Sequence, residues 1–166
     1  MMILAVDVFY TDKAATVAGV QFKDWGDDSP VEELASQMVT ATQYQPGEFY
    51  KRELPCILSL INVNGLWPDC IIIDGYVYLD GNSMPALGRH LYDALKGKIQ
   101  VIGVAKSKFK GIGPEYEIYR GTSKRPLYIT AAGIDVEKAK VLIRSMHGKN
   151  RLPTMLRRVD QLCRGL

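Results

Sequence analysis

The sequence predicts one α/β domain built on a mixed sheet, three antiparallel strands followed by parallel strands, flanked by helices. Three observations lead there. Two apolar runs, 2–10 and Ala14–Phe22, are joined only by Thr11-Asp12-Lys13, and so short a connection makes neighbouring strands antiparallel. Two later runs, Cys70–Ile73 and Val101–Ala105, are wholly apolar, the pattern of parallel strands covered on both faces. Helix-period stripes alternate with these runs. The 166 residues, 47% apolar and 23% charged, suit one domain with a real core, spanning 1–166.

The elements follow in order. After the first hairpin, Lys23–Pro30 reads as a polar loop containing Trp25. Val31–Gln43 is ambiguous: Glu32-Glu33-Leu34 opens like a helix, whereas 37–42 favours a third strand. Tyr44-Gln45-Pro46-Gly47 is a turn. Glu48–Asn64 reads as a helix, since Leu54, Ile57, Leu58 and Ile61 form one stripe. Pro55 suggests that its regular part begins near Glu53. Tyr76–Pro85 is a polar loop, Ala86–Leu95 a short helix ending at Lys96-Gly97, and Ser107–Lys124 a mostly basic loop. Pro126–Ala131 reads as a strand. Asp135 can N-cap a helix carrying Val136, Ala139, Ile143 and Met146. A last helix, with Pro153 near its first turn, carries Leu156, Val159 and Cys163 inward.

Composition narrows the function. Net charge is +3, compatible with a polyanionic partner. The three cysteines and two histidines lack metal-cluster spacing, so Cys56, Cys70 and Cys163 read as buried free thiols in a reducing compartment. No apolar run approaches the ~20 residues of a membrane span, and no signal-type N-terminus is evident. A cytoplasmic location is the expectation.

Carboxylates in apolar company carry the chemistry. Asp7 sits within Leu4–Tyr10, Glu53 leans toward the buried side of its helix, and Asp74 ends a strand before Gly75. Asp160, four after Leu156, is a fourth acid on an apolar face. Burying such groups alone is costly, and a divalent metal would offset that cost. Strand ends of this kind are where open α/β sheets place ligands.

These pieces resemble the endonuclease V family, whose fold is ribonuclease H-like. The matching segments are Val6-Asp7-Val8-Phe9-Tyr10; Tyr44-Gln45-Pro46-Gly47 through Arg52-Glu53-Leu54-Pro55; Ile73-Asp74-Gly75; Ile102-Gly103-Val104-Ala105-Lys106-Ser107; Arg125-Pro126-Leu127-Tyr128-Ile129; and Arg151-Leu152-Pro153 with Arg157 and Asp160. They stand in family order over nearly the whole chain. The resemblance implies Asp7, Glu53 and Asp74 as metal-binding and catalytic acids and Lys106 as the lysine near the scissile phosphate. It implies Tyr44 as a strand-separating wedge and Asp160 as metal periphery; the residues alone equally allow Asp160 a buried ion pair with Arg157 or Lys106. The implied activity is Mg²⁺-dependent phosphodiester hydrolysis near a deaminated purine (inosine) in DNA or RNA, with Mn²⁺ able to substitute, by a monomer. Mg²⁺ prefers hard oxygen ligands, and carboxylate-held ions can neutralise phosphate and activate water.

Some segments depart from the family pattern. His-Gly is missing after Asp74-Gly75, and the following loop is longer, so either Asp80 or Met84 falls at a family histidine's place. The chain is also shorter than its relatives. These changes touch the base-reading loops and motivate two alternatives: a related nuclease for RNA or branched DNA, or a nucleic-acid-binding module with degraded catalysis. Arg52, Lys108, Arg125, Arg151 and Arg157, with Lys110, Lys124, Lys149 and Arg158, offer a phosphate-tracking surface. His90 reads as structural, and His147 as a residue favouring a helix end.

Overall fold

In a computed structural model, residues 1–11, 14–39 and 49–166 are described. The elements are β1 Ile3–Tyr10, β2 Ala14–Phe22, β3 Glu32–Val39, α1 Phe49–Val63, β4 Cys70–Asp74, α2 Leu87–Ala94, β5 Gln100–Ala105, β6 Glu117–Ile118, β7 Leu127–Ala132, α3 Val136–Ser145 and α4 Thr154–Cys163. They build a seven-stranded sheet in the order β3-β2-β1-β4-β5-β7-β6. The expected antiparallel β1–β2–β3 meander is present, with β4 and β5 parallel to β1.

Three details go beyond the sequence reading. The ambiguous Val31–Gln43 segment is a strand at least as far as Val39, because the period-2 pairing with β2 outweighs a helix-like opening. Helix α1 starts at Phe49 and keeps Pro55 inside it, so the expected start near Glu53 falls a turn too late. Burial of Cys56, Ile57, Leu60 and Ile61 offsets the one intrahelical bond that a proline forfeits. The basic loop also contains a strand, β6, paired antiparallel to β7, which itself runs antiparallel to β5. No α-helix crosses over within 106–126, so the chain re-enters the sheet from the edge at which β5 left it.

The strands' alternation separates two cores. Ile3, Ala5, Ile72, Ile102 and Ile129 face α3 and α4. Leu4, Val6, Ile71, Ile73 and Val101 face α1 and α2. The connection into α4 is tied down by Arg120, 5% exposed. Its guanidinium donates to the carbonyls of Met146 (2.6 Å), Gly148 (3.0 Å) and Asn150 (2.7 Å). All three cysteines are buried free thiols. Among the described residues, no helix is long and apolar enough to cross a membrane.

Candidate active site

Parallel strands bring their carboxyl ends to one sheet edge. The register pairs Val6 with Ile73 and Asp74 with Val104, so Asp7 lies level with Asp74 and Lys106 follows β5 beside them. Helix α1 brings Glu53 to the same place from the other face of the sheet. Asp7, Glu53, Asp74 and Lys106 line one cleft of about 510 Å³ with Tyr10 and Tyr76. The four residues read as catalytic in the sequence therefore converge.

The cleft's electrostatics are uncomfortable without a cation. Asp7 is 8% exposed and Glu53 6%. Burial first, then the neighbouring Asp74, raises the Asp7 carboxyl to about 7. Glu53 lies well above the usual carboxylate range, through burial and then Asp7 and Asp74. It has no hydrogen bond or ion pair to another described residue. Burial raises Asp74 as well, opposed by the Lys106 ammonium at 3.6 Å. A nine-tenths-buried carboxylate with no hydrogen-bond or ion-pair partner among the described residues, facing two more acids, fits a hard-oxygen site for a divalent ion. Arg52 stacks on Tyr10 at 3.8 Å from the ring centroid, which keeps its charge beside Glu53.

On the other face, Asp160 and Cys163 point from α4 toward Asp7. One donor atom from each of these three residues lies within 4.8 Å of the other two. The ion-pair partner of Asp160 is Arg164 (3.1 Å), not Arg157 or Lys106. Four residues on is one helical turn, whereas Arg157 projects outward. Burial works against the Asp160 charge, but the Arg164 hydrogen bond and Lys106 outweigh it, so its carboxyl is lowered. The Arg164 guanidinium also sits 4.9 Å from the Phe9 ring centroid.

The remaining predicted residues distribute unevenly. Asp80 accepts from the backbone amides of Asn82, Ser83 and Met84, so its carboxylate organises its own loop. Met84 is exposed. Tyr44 lies outside the described residues. Lys106, Lys108, Arg125 and Arg151 line a second cleft of about 260 Å³. Arg151 also donates to the carbonyls of Arg125, Pro126 and Lys106, so much of its hydrogen-bonding capacity holds strand ends together. Arg158 pairs with Glu33, and Arg157 is exposed on α4.

A third hollow, about 250 Å³, adjoins Asp74 and is lined by Tyr50, Tyr76, Leu79, Pro85, Leu87 and Phe109. His90, read as structural, stacks on Tyr50 at 3.8 Å and 18° and so backs this wall. The Tyr76 hydroxyl donates to the Ser107 carbonyl (2.6 Å) and accepts from the Phe109 amide (3.0 Å). Gly75 turns the chain at φ +133. At Gly103 a Cβ would stand 2.6 Å from the Gly75 carbonyl and 2.9 Å from the Thr130 hydroxyl. That bare backbone lets residues 75–77 lie against β5, where the Val77 amide donates to the Thr130 hydroxyl (2.8 Å). The sequence reading missed Tyr50, Tyr76, Phe109, Cys163 and Arg164 as site residues. Only the last two carried a signal, their spacing of three and four from Asp160.

Comparison with known proteins follows the same lines. The endonuclease V family model matches residues 1–161. No curated protein sequence matches the chain. Among solved structures, human ENDOV superposes with a TM-score of 0.80 at 20% identity, covering 99% of this chain and 83% of that one. Endonuclease V from Streptomyces avermitilis gives 0.75 at 24% identity, over 99% and 80%. That from Ciona intestinalis, in complex with DNA containing an inosine followed by a ribo-adenosine, gives 0.81 at 16%, over 99% and 84%. At these identities the likeness establishes a shared fold.

Proposed function

The chain belongs to the endonuclease V family, and we propose that it is a Mg²⁺-dependent endonuclease hydrolysing a phosphodiester near inosine in DNA or RNA, acting as a cytoplasmic monomer. The observation that carries this reading is the convergence of Asp7, Glu53, Asp74 and Lys106 on one cleft at the carboxyl edge of the parallel strands. Asp7, Glu53 and Asp74 would hold the ion, with Asp160 at its periphery. When bound, the ion supplies charge neutralisation at the phosphate and a more acidic water.

The chain's own groups do the rest. Lys106, held beside Asp74 at 3.6 Å, presents its ammonium to a phosphate oxygen. Lys108 and Arg125 extend that positive surface along the adjoining cleft and hold the strand's phosphates in register, with Arg52, Arg151 and Arg157 adding charge around it. The aromatic hollow beside Asp74 accepts an extruded base by stacking. A second reading, a nuclease for RNA or branched DNA, is favoured by the Tyr76–Pro85 loop, where Asp80 closes a local turn.

The test is an inosine-containing oligonucleotide with Mg²⁺, set beside RNA and branched substrates and beside Asp7→Ala and Asp74→Ala. Cleavage at inosine by the wild type alone is expected. Equal cleavage by wild type and variants, or none of any substrate, sinks the reading; a preference for RNA or branched DNA without inosine selects the second.

A further inference from the structure

Tyr76 stands between the two openings beside Asp74. It lines the acid cleft with Asp7, Glu53 and Lys106, and the aromatic hollow with Tyr50, Leu87 and Phe109. Its ring packs on the small cluster of Ala105, Ile112 and Tyr128, a place that a phenylalanine would fill equally well. The hydroxyl is what packing leaves unexplained. A phenol has one donor and accepts through its lone pairs. Here the O–H donates to the Ser107 carbonyl at 2.6 Å, and the oxygen accepts from the Phe109 amide at 3.0 Å. Burial raises the phenol above its ordinary range, so it stays protonated and able to donate. Residues 107–113 belong to no helix or strand, so no ladder of backbone bonds fixes Phe109. Its carbonyl closes one turn with the Ile112 amide (3.1 Å), and its amide is held by Tyr76. The Phe109 ring stands edge-on to Tyr76, 6.3 Å between centroids at 64°, and is 36% exposed at the hollow's rim.

We infer that Tyr76 is a positioning residue of the hollow: its hydroxyl holds Phe109 at the rim, so that an entering base meets a fixed ring. The inference rests on the proposed function for the hollow's occupant, an extruded base. A base stacks best on a ring already in place, because ordering a mobile side chain costs rotamer freedom that is subtracted from affinity. Without the hydroxyl, residues 107–109 lose both bonds, while the Tyr76 ring and the acids of the cleft stay. The loss then falls on substrates that carry a base. An abasic site keeps its sugar and phosphates and has nothing to set against Phe109. A clasp acting instead on Lys106, the neighbour of Ser107, would burden both kinds of substrate alike.

The test compares a single-stranded oligonucleotide carrying one inosine with the same oligonucleotide carrying an abasic site there. Affinities of the full chain are read by fluorescence anisotropy with Ca²⁺ in place of Mg²⁺, and single-turnover cleavage is read with Mg²⁺. Tyr76→Phe is expected to lower the inosine-to-abasic affinity ratio roughly 3–10-fold, the scale of one net hydrogen bond. Phe109→Ala lowers it roughly 10–100-fold, the scale of one base–aromatic stack. In the double variant the first change adds little to the second, since the hydroxyl acts through the ring. Phe109→Leu, which keeps apolar bulk, replaces Phe109→Ala if alanine prevents folding. The inference is overturned if Tyr76→Phe leaves the ratio unmoved, whether both affinities fall alike or neither falls. Full additivity of the two substitutions, or a wild type that binds both oligonucleotides equally, overturns it as well. Inosine-directed cleavage with an unmoved ratio removes this inference alone. A ratio that follows Tyr76 and Phe109 with no Mg²⁺-dependent cleavage upholds it and removes the nuclease reading instead; binding of neither oligonucleotide removes both.

Discussion

The two faces of the sheet deliver acids to the same edge on different terms. From the α1 side, Glu53 arrives buried and without a hydrogen-bond or ion-pair partner among the described residues. From the α4 side, Asp160 arrives half-buried, paired with Arg164 one turn along its own helix. One carboxyl is raised and the other lowered. The difference separates two ways of holding a ligand group. A side chain fixed by packing alone stays ready for an external cation, whereas one fixed by a local ion pair is already half-satisfied. The α1 side therefore stores electrostatic strain, and the α4 side supplies position.

Substitutions can break that contrast, and the largest effect belongs to the strained side. Glu53→Gln is expected to lower Mg²⁺-supported cleavage about a thousandfold, the upper scale for losing one preorganised electrostatic contact. Asp160→Asn should cost only roughly 10–100-fold, as for residues supporting a metal ligand. Single-turnover rates on one substrate make the comparison, and equal losses would erase the distinction between the sides.

Next comes the anchor of the α4 side. Arg120→Met leaves the buried carbonyl of Met146 and the part-buried carbonyls of Gly148 and Asn150 without their donor, at about 1–3 kcal/mol for a buried group left unsatisfied and less where water can reach. Denaturant unfolding should show a loss of several kcal/mol, with the slope unchanged. A loss as small as that of a surface change would mean that α4 is placed by its apolar stripe alone.

A pH effect of a few kcal/mol follows from Asp7. Its carboxyl in the folded chain is raised from 3.8 to about 7, so without metal the folded chain keeps a proton that the unfolded chain releases. Stability is fully present below 3.8 and falls as pH rises through about 7, by an amount on the order of a few kcal/mol. Melting temperatures in a chelator should decline across that window. Asp7→Asn should flatten the decline, and Mg²⁺ should reverse it above pH 7. A flat profile for the wild type would show that Asp7 is not strained. The smallest effect is expected at Arg164→Ala. A partly exposed ion pair is worth about 0–1 kcal/mol, so thermal stability should hardly move, while the acid limb of cleavage shifts upward as Asp160 loses its support.

The sequence made the α1 side and the parallel edge the easier half to read. Asp7 and Asp74 stand out because a carboxylate inside an apolar strand needs a reason, and Glu53 because it leans into a helical stripe. The hairpin, β4 and β5 follow from alternation and short connections. Cys163 was hidden by being a good core residue, since the same burial that fits the stripe of α4 also places its sulfur beside Asp7. Asp80 drew notice by its spacing, but a carboxylate followed by small polar residues closes its own loop. Strand β6 covers only Glu117–Ile118, too short for any period to show. Arg151 and Arg158 counted as surface charge, yet the carbonyls of Lys106 and Pro126 and the carboxylate of Glu33 engage them. Such pairings join residues distant in sequence and leave no local pattern.

The missing side chain at Gly103 has a consequence for how this protein can diverge. Residues 75–77 rest on that bare stretch of β5, and they connect the acid Asp74 to the pocket wall Tyr76. A single methyl there would lift both together. Specificity and chemistry thus share one support, and a lineage that reshapes the hollow through this segment also risks displacing the acid. Phe109 and the His90–Tyr50 stack stand on other elements, so they are the freer places for a change of substrate to be written.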